Sequence, residues 1–296
     1  MTAVKAVGAG HRYGRFWALR DCTLSLPAGS ITALVGPNGA GKTTLLNLLV
    51  GLLPLSAGRL TVFGNAPSGK PEFLSDVGFL AQDCPLYKHY SVADMLHFGA
   101  ALNPTWDDEL ARARLDAAEV PLRRKVGKLS GGQRAQVGLA LAIGKRPRLL
   151  LLDEPLAALD PLARRDFLKS LLDSAVATGM TVVLSSHLIG ELARVCDWLV
   201  VIRGGRLRLA GELDALLGQH YWVAGARERI ERLPSDVDVI NRRDHERHSR
   251  LLVHSERPLL DPELTTSPVD IEELVLAYLD APTRDGVVHE LIGHGR

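Results

Sequence analysis

The chain has 296 residues, 46% of them hydrophobic, which is enough to form one large α/β domain with a smaller appendage and argues against intrinsic disorder. Its 35 basic and 34 acidic residues are balanced and form no long block of one sign, so the electrostatic footprint of a dedicated nucleic-acid binder is missing. The three cysteines form no CxxC pair, which is typical of reduced thiols. No apolar stretch reaches the roughly 18 residues of a membrane span, and the N-terminus lacks the apolar region of a secretion signal, so we expect neither feature.

The N-terminal part of the chain has the patterns of strands around one glycine-rich loop. Leu24 and Leu26 alternate with polar residues, a turn follows at 27–29, and Ile31–Val35 is a short apolar run. After the loop, an apolar helix is predicted over 45–53 and a strand over 58–63.

The middle of the chain, about residues 85–145, has the character of a helical lobe inserted in a sheet domain. Ser91–Asp94 has the pattern of a helix start, and 107–119 predicts a charged, alanine-rich helix. From 149 onwards strands and helices alternate, which predicts a largely parallel sheet. The predicted strands are 149–152, 181–185 and 198–202, and the predicted helices are 161–177 and 188–196.

Beyond about residue 217 the pattern changes to short strands between charged segments, so we predict a domain over 1–217 and a small accessory domain over 218–296. Its strands are predicted at 221–224, 237–240 and 251–253, and its mixed charges indicate a solvated face. The cluster Asp244–His248 is interpreted as a polar loop, because a metal site there lacks supporting ligands.

The glycine-rich loop matches GxxxxGK[ST] in full, follows an apolar strand and opens a helix, as that phosphate-binding pattern requires. Its residues are Gly36, Pro37, Asn38, Gly39, Ala40, Gly41, Lys42 and Thr43. Glycines let backbone N–H groups turn inward around phosphate oxygens. We expect Lys42 to reach the β- and γ-phosphates, Thr43 to bind Mg²⁺ and Thr44 to add a hydroxyl to a phosphate.

Two adjacent acids, Asp153 and Glu154, follow the apolar run Leu149–Leu152. The carboxyl ends of strands are where ligands bind in open α/β sheets. Asp153 is suited to Mg²⁺, and Glu154 is suited to polarising the attacking water, a general-base role worth about 10² to 10⁴ in rate. Without the phosphate loop upstream, an acidic turn after a core strand would be the simpler interpretation.

Three single residues complete the predicted site. Gln82, after the strand predicted at 77–80, is placed to contact both Mg²⁺ and the water, and His187, at a strand end, is placed to contact the γ-phosphate. Tyr13, upstream of the loop, is placed to stack on adenine. Taken alone, each has a simpler interpretation as a solvated or structural residue.

The run Leu129–Gln133 reads LSGGQ and lies about twenty residues before the acidic strand end. Serine followed by two glycines at a helix start offers a hydroxyl, bare N–H groups and a helix dipole to a γ-phosphate. This arrangement needs two copies of the protein, so that the run completes the site of the other copy. The residues concerned are Ser130, Gly131, Gly132 and Gln133.

Taken together, these motifs resemble those of the ATP-binding-cassette (ABC) ATPases, in the family's order and over residues 1 to 217, with Ala158–Asp160 as a further match. The resemblance implies an α/β fold: a P-loop NTPase core with a mainly parallel sheet, N-terminal antiparallel strands, an inserted helical subdomain and a small C-terminal α+β appendage. It also implies a head-to-tail dimer in which the phosphate loop of one subunit and Ser130–Gly132 of the other enclose each ATP. The segment Asn103–Asp107 and the tail 269–279 resemble the bacterial drug, antibiotic and lipid exporters that have a separate permease.

The function expected from this resemblance is ATP binding and hydrolysis, with ATP and Mg²⁺ as cofactors, coupled to export through a separate transmembrane permease. The chain is expected to pair with itself or with a second ABC ATPase, to lie peripherally on the cytoplasmic face of the membrane, and to bind no nucleic acid. The permease is expected to contact the groove at 82–95, where Tyr87, Lys88 and Tyr90 are the predicted surface contacts. An importer and a soluble, non-transport ABC ATPase are the alternatives.

Overall fold

The computed structural model describes residues 1–234, 237–244, 248–255, 259, 261–281 and 289–291. The strands of these residues are β1 (Thr2–Tyr13), β2 (Phe16–Pro27), β3 (Ile31–Val35), β4 (Ala57–Val62), β5 (Val77–Leu80), β6 (Leu149–Leu152), β7 (Thr181–Ser186), β8 (Trp198–Arg203), β9 (Arg206–Glu212), β10 (His220–Ala226), β11 (Asp238–Asp244), β12 (His248–His254), β13 (Thr265–Pro268) and β14 (His289–Leu291). The helices are α1 (Lys42–Leu49), α2 (Pro71–Ser75), α3 (Val92–Leu102), α4 (Asp108–Ala117), α5 (Gly131–Gly144), α6 (Pro161–Thr178), α7 (Ile189–Leu192), α8 (Leu213–Gln219), α9 (Arg227–Ile230) and α10 (Ile271–Asp280). None of these helices combines the length and the apolar character that crossing a bilayer requires.

A seven-stranded sheet in the order β14-β9-β8-β3-β7-β6-β5 forms the centre of the described fold. Five of its strands, β5, β6, β7, β3 and β8, run parallel to one another, and β9 and β14 run in the opposite direction. All side chains of β3 and β6 are buried, as expected when both faces of a parallel sheet are covered. Because strand side chains alternate between faces, Ala33 and Leu184 join one core and Leu34 and Val183 join another.

The core on the second face is shared with a three-stranded antiparallel sheet in the order β2-β1-β4. Leu46 and Leu49 of α1 pack in the same cluster as Leu24 of β2 and Leu34 of β3. Helix α1 therefore lies at the junction of the two sheets, and its first residue follows directly from the loop after β3.

Helices α3, α4 and α5 form the helical lobe around a cluster of their own, and all three begin at side-chain caps. Ser91 and Asp94 form a capping box at α3, Asp107 caps α4, and Ser130 and Gln133 form a capping box at α5. Such caps satisfy N–H groups that have no partner within the helix. The predicted helix start at Ser91 is confirmed.

The C-terminal region contains a four-stranded antiparallel sheet in the order β11-β12-β10-β13, against which α10 packs. Trp222 of β10 is buried and donates its indole N–H to Glu273 of α10 at 2.9 Å. Both Trp222 and Leu274 belong to the same core cluster as Ala33 of the central sheet. The chain then returns to the central sheet, where β14 pairs in parallel with β9.

The predicted fold class is confirmed: a mainly parallel sheet, N-terminal antiparallel strands, a helical insertion and a C-terminal α+β part are all present. The division at residue 217 stays a prediction. The helix predicted over 188–196 is wrong in length, since only Ile189–Leu192 is helical. Beyond it the Val195 N–H bonds three residues back to the Leu192 carbonyl oxygen, which forms a turn before β8 begins at Trp198. Strand β9 was not predicted. Of the cluster Asp244–His248, residues 245–247 lie outside the described residues, and the two end residues belong to β11 and β12.

Candidate nucleotide-binding site

The glycine-rich loop connects β3 to α1 along a path that its glycines make possible. Gly41 adopts a φ of 109°, and a Cβ there would lie 2.6 Å from the carbonyl oxygen of Ala18. A Cβ on Gly36 would overlap the carbonyl oxygen of Ile202. The loop is therefore held between its neighbours, which keeps its backbone in one conformation.

The start of α1 has the features of a phosphate cradle. Gly41, its N-cap, provides no side-chain cap, and the first turn contains no acidic residue. N–H groups at such a helix start, together with the positive end of the helix dipole, favour an anion. Thr43 is exposed on this turn, whereas Thr44 is buried. The loop thus fits the phosphate-binding role predicted for it.

Asp153 and Glu154 lie at the carboxyl end of β6, where both are buried. Glu154 adopts a φ of 47°, which is uncommon for a residue with a side chain. The hydroxyl of Ser185 on the neighbouring β7 donates to Asp153 Oδ1 at 2.8 Å and accepts the Glu154 N–H at 2.9 Å. The turn that places the two acids is thereby fixed to the next strand.

Lys42, Glu154 and His187 meet in one chain of contacts. Lys42 Nζ donates to the carbonyl oxygen of Gly36 at 2.7 Å and lies 3.1 Å from Glu154 Oε1. The other carboxylate oxygen, Oε2, is 2.8 Å from His187 Nδ1. The contact between Lys42 Nζ and Glu154 Oε1 is close enough for an ion pair but does not have the geometry of a hydrogen bond. The loop lysine and the predicted general base are therefore neighbours.

Two of the predicted residues are not drawn into this chain of contacts. Gln82 is exposed in the turn after β5, and no hydrogen bond to Asp153 or Glu154 involves it within the described residues. Tyr13 ends β1, is half exposed, and contacts His11 edge-on at 4.6 Å between ring centroids. Their roles toward metal, water and adenine stay predictions.

The LSGGQ run forms the start of α5. The Ser130 hydroxyl accepts the Gln133 N–H at 3.1 Å, while Ser130 itself is exposed. Because the hydroxyl serves the cap as an acceptor, its own hydrogen can still be donated to an anion. In the described part of the chain, no hydrogen bond or ion pair joins Ser130, Gly131, Gly132 or Gln133 to the phosphate loop. This is compatible with their predicted role in the site of a second copy.

Ser185 is the site residue that the sequence prediction missed. It is a fully buried polar residue that follows the apolar middle of β7, Val182–Leu184, two positions before His187. A serine at the carboxyl edge of a buried parallel strand was the available signal. Its two partners could not be identified without knowing that β7 lies beside β6.

A phosphate loop and an acid pair on the same edge of a parallel sheet are the parts from which P-loop ATPases are built, and the protein is of this class. Residues 19–157 match the family described as "ABC transporter". Over 220 residues the chain is 37% identical to the Fe(3+) ions import ATP-binding protein FbpC of Pseudomonas fluorescens. The aligned segment covers 71% of this chain and 62% of that protein. The chain therefore contains an ATP-binding domain of the ABC transporter family.

Two further comparisons agree with this family. The chain is 37% identical over 202 residues to the molybdenum import ATP-binding protein ModC of Rhodobacter capsulatus, covering 66% of this chain and 56% of that protein. The structure of cbiO1 from Clostridium perfringens, part of the ABC transporter complex cbiONQ, matches with a TM-score of 0.63 and 27% identity over 74% of this chain and 91% of that one. The chain thus spans about three fifths of the length of these curated relatives.

Proposed function

We propose that this chain binds MgATP and hydrolyses it to energise transport through a separate membrane permease. The observation that carries the proposal is the convergence of Lys42, Glu154 and His187, at 3.1 and 2.8 Å, beside the open start of α1. Lys42 provides a cation that can bind phosphates, and Glu154 provides a carboxylate that can accept a proton from water. The imidazole of His187 lies beside that carboxylate. Thr43 and Asp153 provide oxygen donors, which are the ligands that Mg²⁺ prefers.

In this proposal each side chain has one role in hydrolysis. Lys42 binds the β- and γ-phosphates, and Thr43, Asp153 and Gln82 hold Mg²⁺, which when bound neutralises phosphate charge. Glu154 accepts the proton of the attacking water, and His187 holds its carboxylate from the other side. Lys42 and Glu154 must separate before either can act. While they are paired, Glu154 takes the place of the phosphates at Lys42, and Lys42 takes the place of the water at Glu154.

The proposed active form is a dimer, either of this chain or with a second ABC ATPase. Ser130 to Gln133 of one subunit would close the ATP site of the other. The permease would contact the helical lobe near Tyr87, Tyr90 and Phe98, three exposed aromatic residues whose ring centroids lie 5.3 and 5.7 Å apart. Exposed aromatic clusters of this kind favour protein contacts.

For the direction of transport we propose import. The sequence motifs outside the ATP site favour export. The names of the curated relatives, which refer to import of iron and molybdenum, support the other direction. Their substrates belong to those proteins, and no substrate is proposed for this chain.

The test is co-expression with a candidate permease, chosen from membrane proteins encoded near the gene for this chain, followed by reconstitution in proteoliposomes. We expect the two to co-purify and the permease to change the ATPase rate. Import further predicts that an extracytoplasmic solute-binding protein stimulates ATP hydrolysis only when it is added on the side opposite to the ATPase. If ATP hydrolysis were stimulated only by substrate added on the side of the membrane where the ATPase lies, the result would support export. If RNA or DNA stimulated hydrolysis and the permease did not change its rate, the result would favour a non-transport ATPase.

A further inference from the structure

Ser185 connects two strand ends and both acids through one hydroxyl. Its side chain is fully buried at the end of β7 and has no contact with solvent. The hydroxyl uses its only hydrogen for Asp153 Oδ1 at 2.8 Å and a lone pair for the Glu154 N–H at 2.9 Å. Both bonds cross from β7 to the end of β6, so the hydroxyl bridges the two strands.

The bond to Asp153 restricts the carboxylate that is proposed to serve Mg²⁺. A carboxylate with one oxygen held by a fixed donor can present the other in only a few orientations. Hydrogen bonds to charged groups are shorter and stronger than neutral ones, so this bond can hold the carboxylate in place. Residues that orient a metal ligand in this way commonly affect metal affinity about 10- to 100-fold.

The bond to the Glu154 N–H acts on the backbone instead. At a φ of 47° Glu154 is in the left-handed region, which a residue with a side chain adopts at a cost. The Ser185 hydroxyl satisfies the N–H of this residue inside the core, where an unpaired donor would be costly. The direction in which Glu154 leaves the strand end therefore depends on Ser185.

We propose that Ser185 is a positioning residue for MgATP hydrolysis, which orients Asp153 for the metal and Glu154 for the water. The inference rests on the proposed ATPase function and adds a residue to it. His187 follows two positions later, so the end of β7 supports the acids through Ser185 and contacts Glu154 through His187.

The experiment compares Ser185→Ala with Ser186→Ala in the full chain. Ser186 is an equally buried neighbour whose hydroxyl accepts the Leu188 N–H at 3.0 Å. Among the contacts of the described residues it has no hydrogen bond to the acids, which makes it a matched control. Two readouts are taken: ATPase rate against Mg²⁺ concentration, and binding of a non-hydrolysable ATP analogue with and without Mg²⁺. Ser185→Thr, which keeps the hydroxyl, tests for rescue, and urea unfolding tests whether each variant is folded.

For Ser185→Ala we expect kcat to fall at least about tenfold and the half-saturating Mg²⁺ concentration to rise about tenfold, the lower end of the range for ligand-orienting residues. Analogue binding without Mg²⁺ should stay within about twofold, because the phosphate loop is untouched. Ser185→Thr and Ser186→Ala should both retain the Mg²⁺ dependence of the unmodified protein. If the unmodified protein hydrolysed no ATP, the proposed function would fail. The role of Ser185 would still be decided by comparing how much Mg²⁺ strengthens analogue binding in Ser185→Ala and in the unmodified protein.

Three results would overturn the inference. The first is a Ser185→Ala variant whose Mg²⁺ dependence, in both readouts, equals that of the unmodified protein. The second is an equal loss in Ser186→Ala, which would indicate a general effect of strand packing. The third is an equal loss of analogue binding with and without Mg²⁺, which would place the defect in the phosphate loop.

Discussion

Replacing Glu154 by Gln should strengthen nucleotide binding while it removes catalysis. Lys42 and Glu154 are only 6% and 7% exposed, and their charged atoms lie 3.1 Å apart. At an effective dielectric constant of about 20, this separation corresponds to an attraction of about 5 kcal/mol. Binding of ATP must give up this attraction, because Lys42 is needed at the phosphates.

Most of that attraction is offset by the solvation of charges that become free, so the net gain is smaller. We expect Glu154→Gln to bind a non-hydrolysable ATP analogue at least about tenfold more tightly, which corresponds to about 1.4 kcal/mol. The amide keeps the shape of the side chain and can still bond to His187. Turnover should nearly vanish, because an amide cannot accept the proton of water, and an ATP-bound dimer should accumulate.

Isothermal titration calorimetry in Mg²⁺-free buffer measures the affinity without contribution from hydrolysis or metal. Glu72→Gln, which removes an exposed carboxylate from α2, is the control for a general change in net charge. The reasoning is refuted if Glu154→Gln binds the analogue no more tightly than the unmodified protein. Sizeable residual hydrolysis with no dimer in size-exclusion chromatography would remove Glu154 from its proposed role.

The other predictions concern the loop, the signature run and the helical lobe. Gly36→Ala should weaken ATP binding by about tenfold or more, because the new Cβ overlaps the carbonyl of Ile202 and a close-packed site loses roughly 1–3 kcal/mol on overpacking; Gly69→Ala, which has open space around it, is the calorimetric control. Ser130→Phe should stop hydrolysis but leave binding to the single subunit nearly intact, and normal turnover would count against a shared site. Asp107→Ala should lower the free energy of unfolding at pH 7 by about 1 kcal/mol through loss of the α4 cap. The pKa of Asp107 is lowered by hydrogen bonds from the Leu110 N–H and, second, from Arg146. Its contribution to the free energy of unfolding is therefore complete at a pH above the pKa of an unfolded aspartate, and is lost as the pH falls through the lower pKa of the folded state. In urea unfolding, the difference in free energy of unfolding between Asp107→Ala and the unmodified protein should become smaller below about pH 4. An unchanged difference there would contradict the stabilising role of the ionised Asp107 side chain.

The parts of the site that the sequence could predict are those encoded by local spacing. The phosphate loop, with its flanking strand and helix, could be predicted because its glycines, lysine and threonine act within eight consecutive residues. The acids after β6 could be predicted because an apolar strand sets where they lie. The capping box at Ser91 was equally local.

The contacts between strands could not be predicted in the same way. The pair of Lys42 with Glu154 and the bridge of Ser185 to Asp153 join residues more than thirty positions apart, and depend on the order in which β3, β7 and β6 lie in the sheet. Sequence spacing predicts a parallel sheet but not this order. The same long-range dependence explains why Lys42 was expected only at phosphates and not beside Glu154.

In the C-terminal region the sequence pattern changes at a point where the hydrophobic core continues without a break. The pattern changes near residue 217, where the chain passes from the central sheet to the four-stranded sheet. Its core does not change there, because Trp222 and Leu274 pack in the same cluster as Leu184 of β7. Arg208 of β9 also donates to the carbonyl oxygen of Ala281 at 2.8 Å. Since buried apolar area stabilises both sides of a shared core, Trp222 and Leu274 contribute to the stability of the strands that position Glu154 and His187.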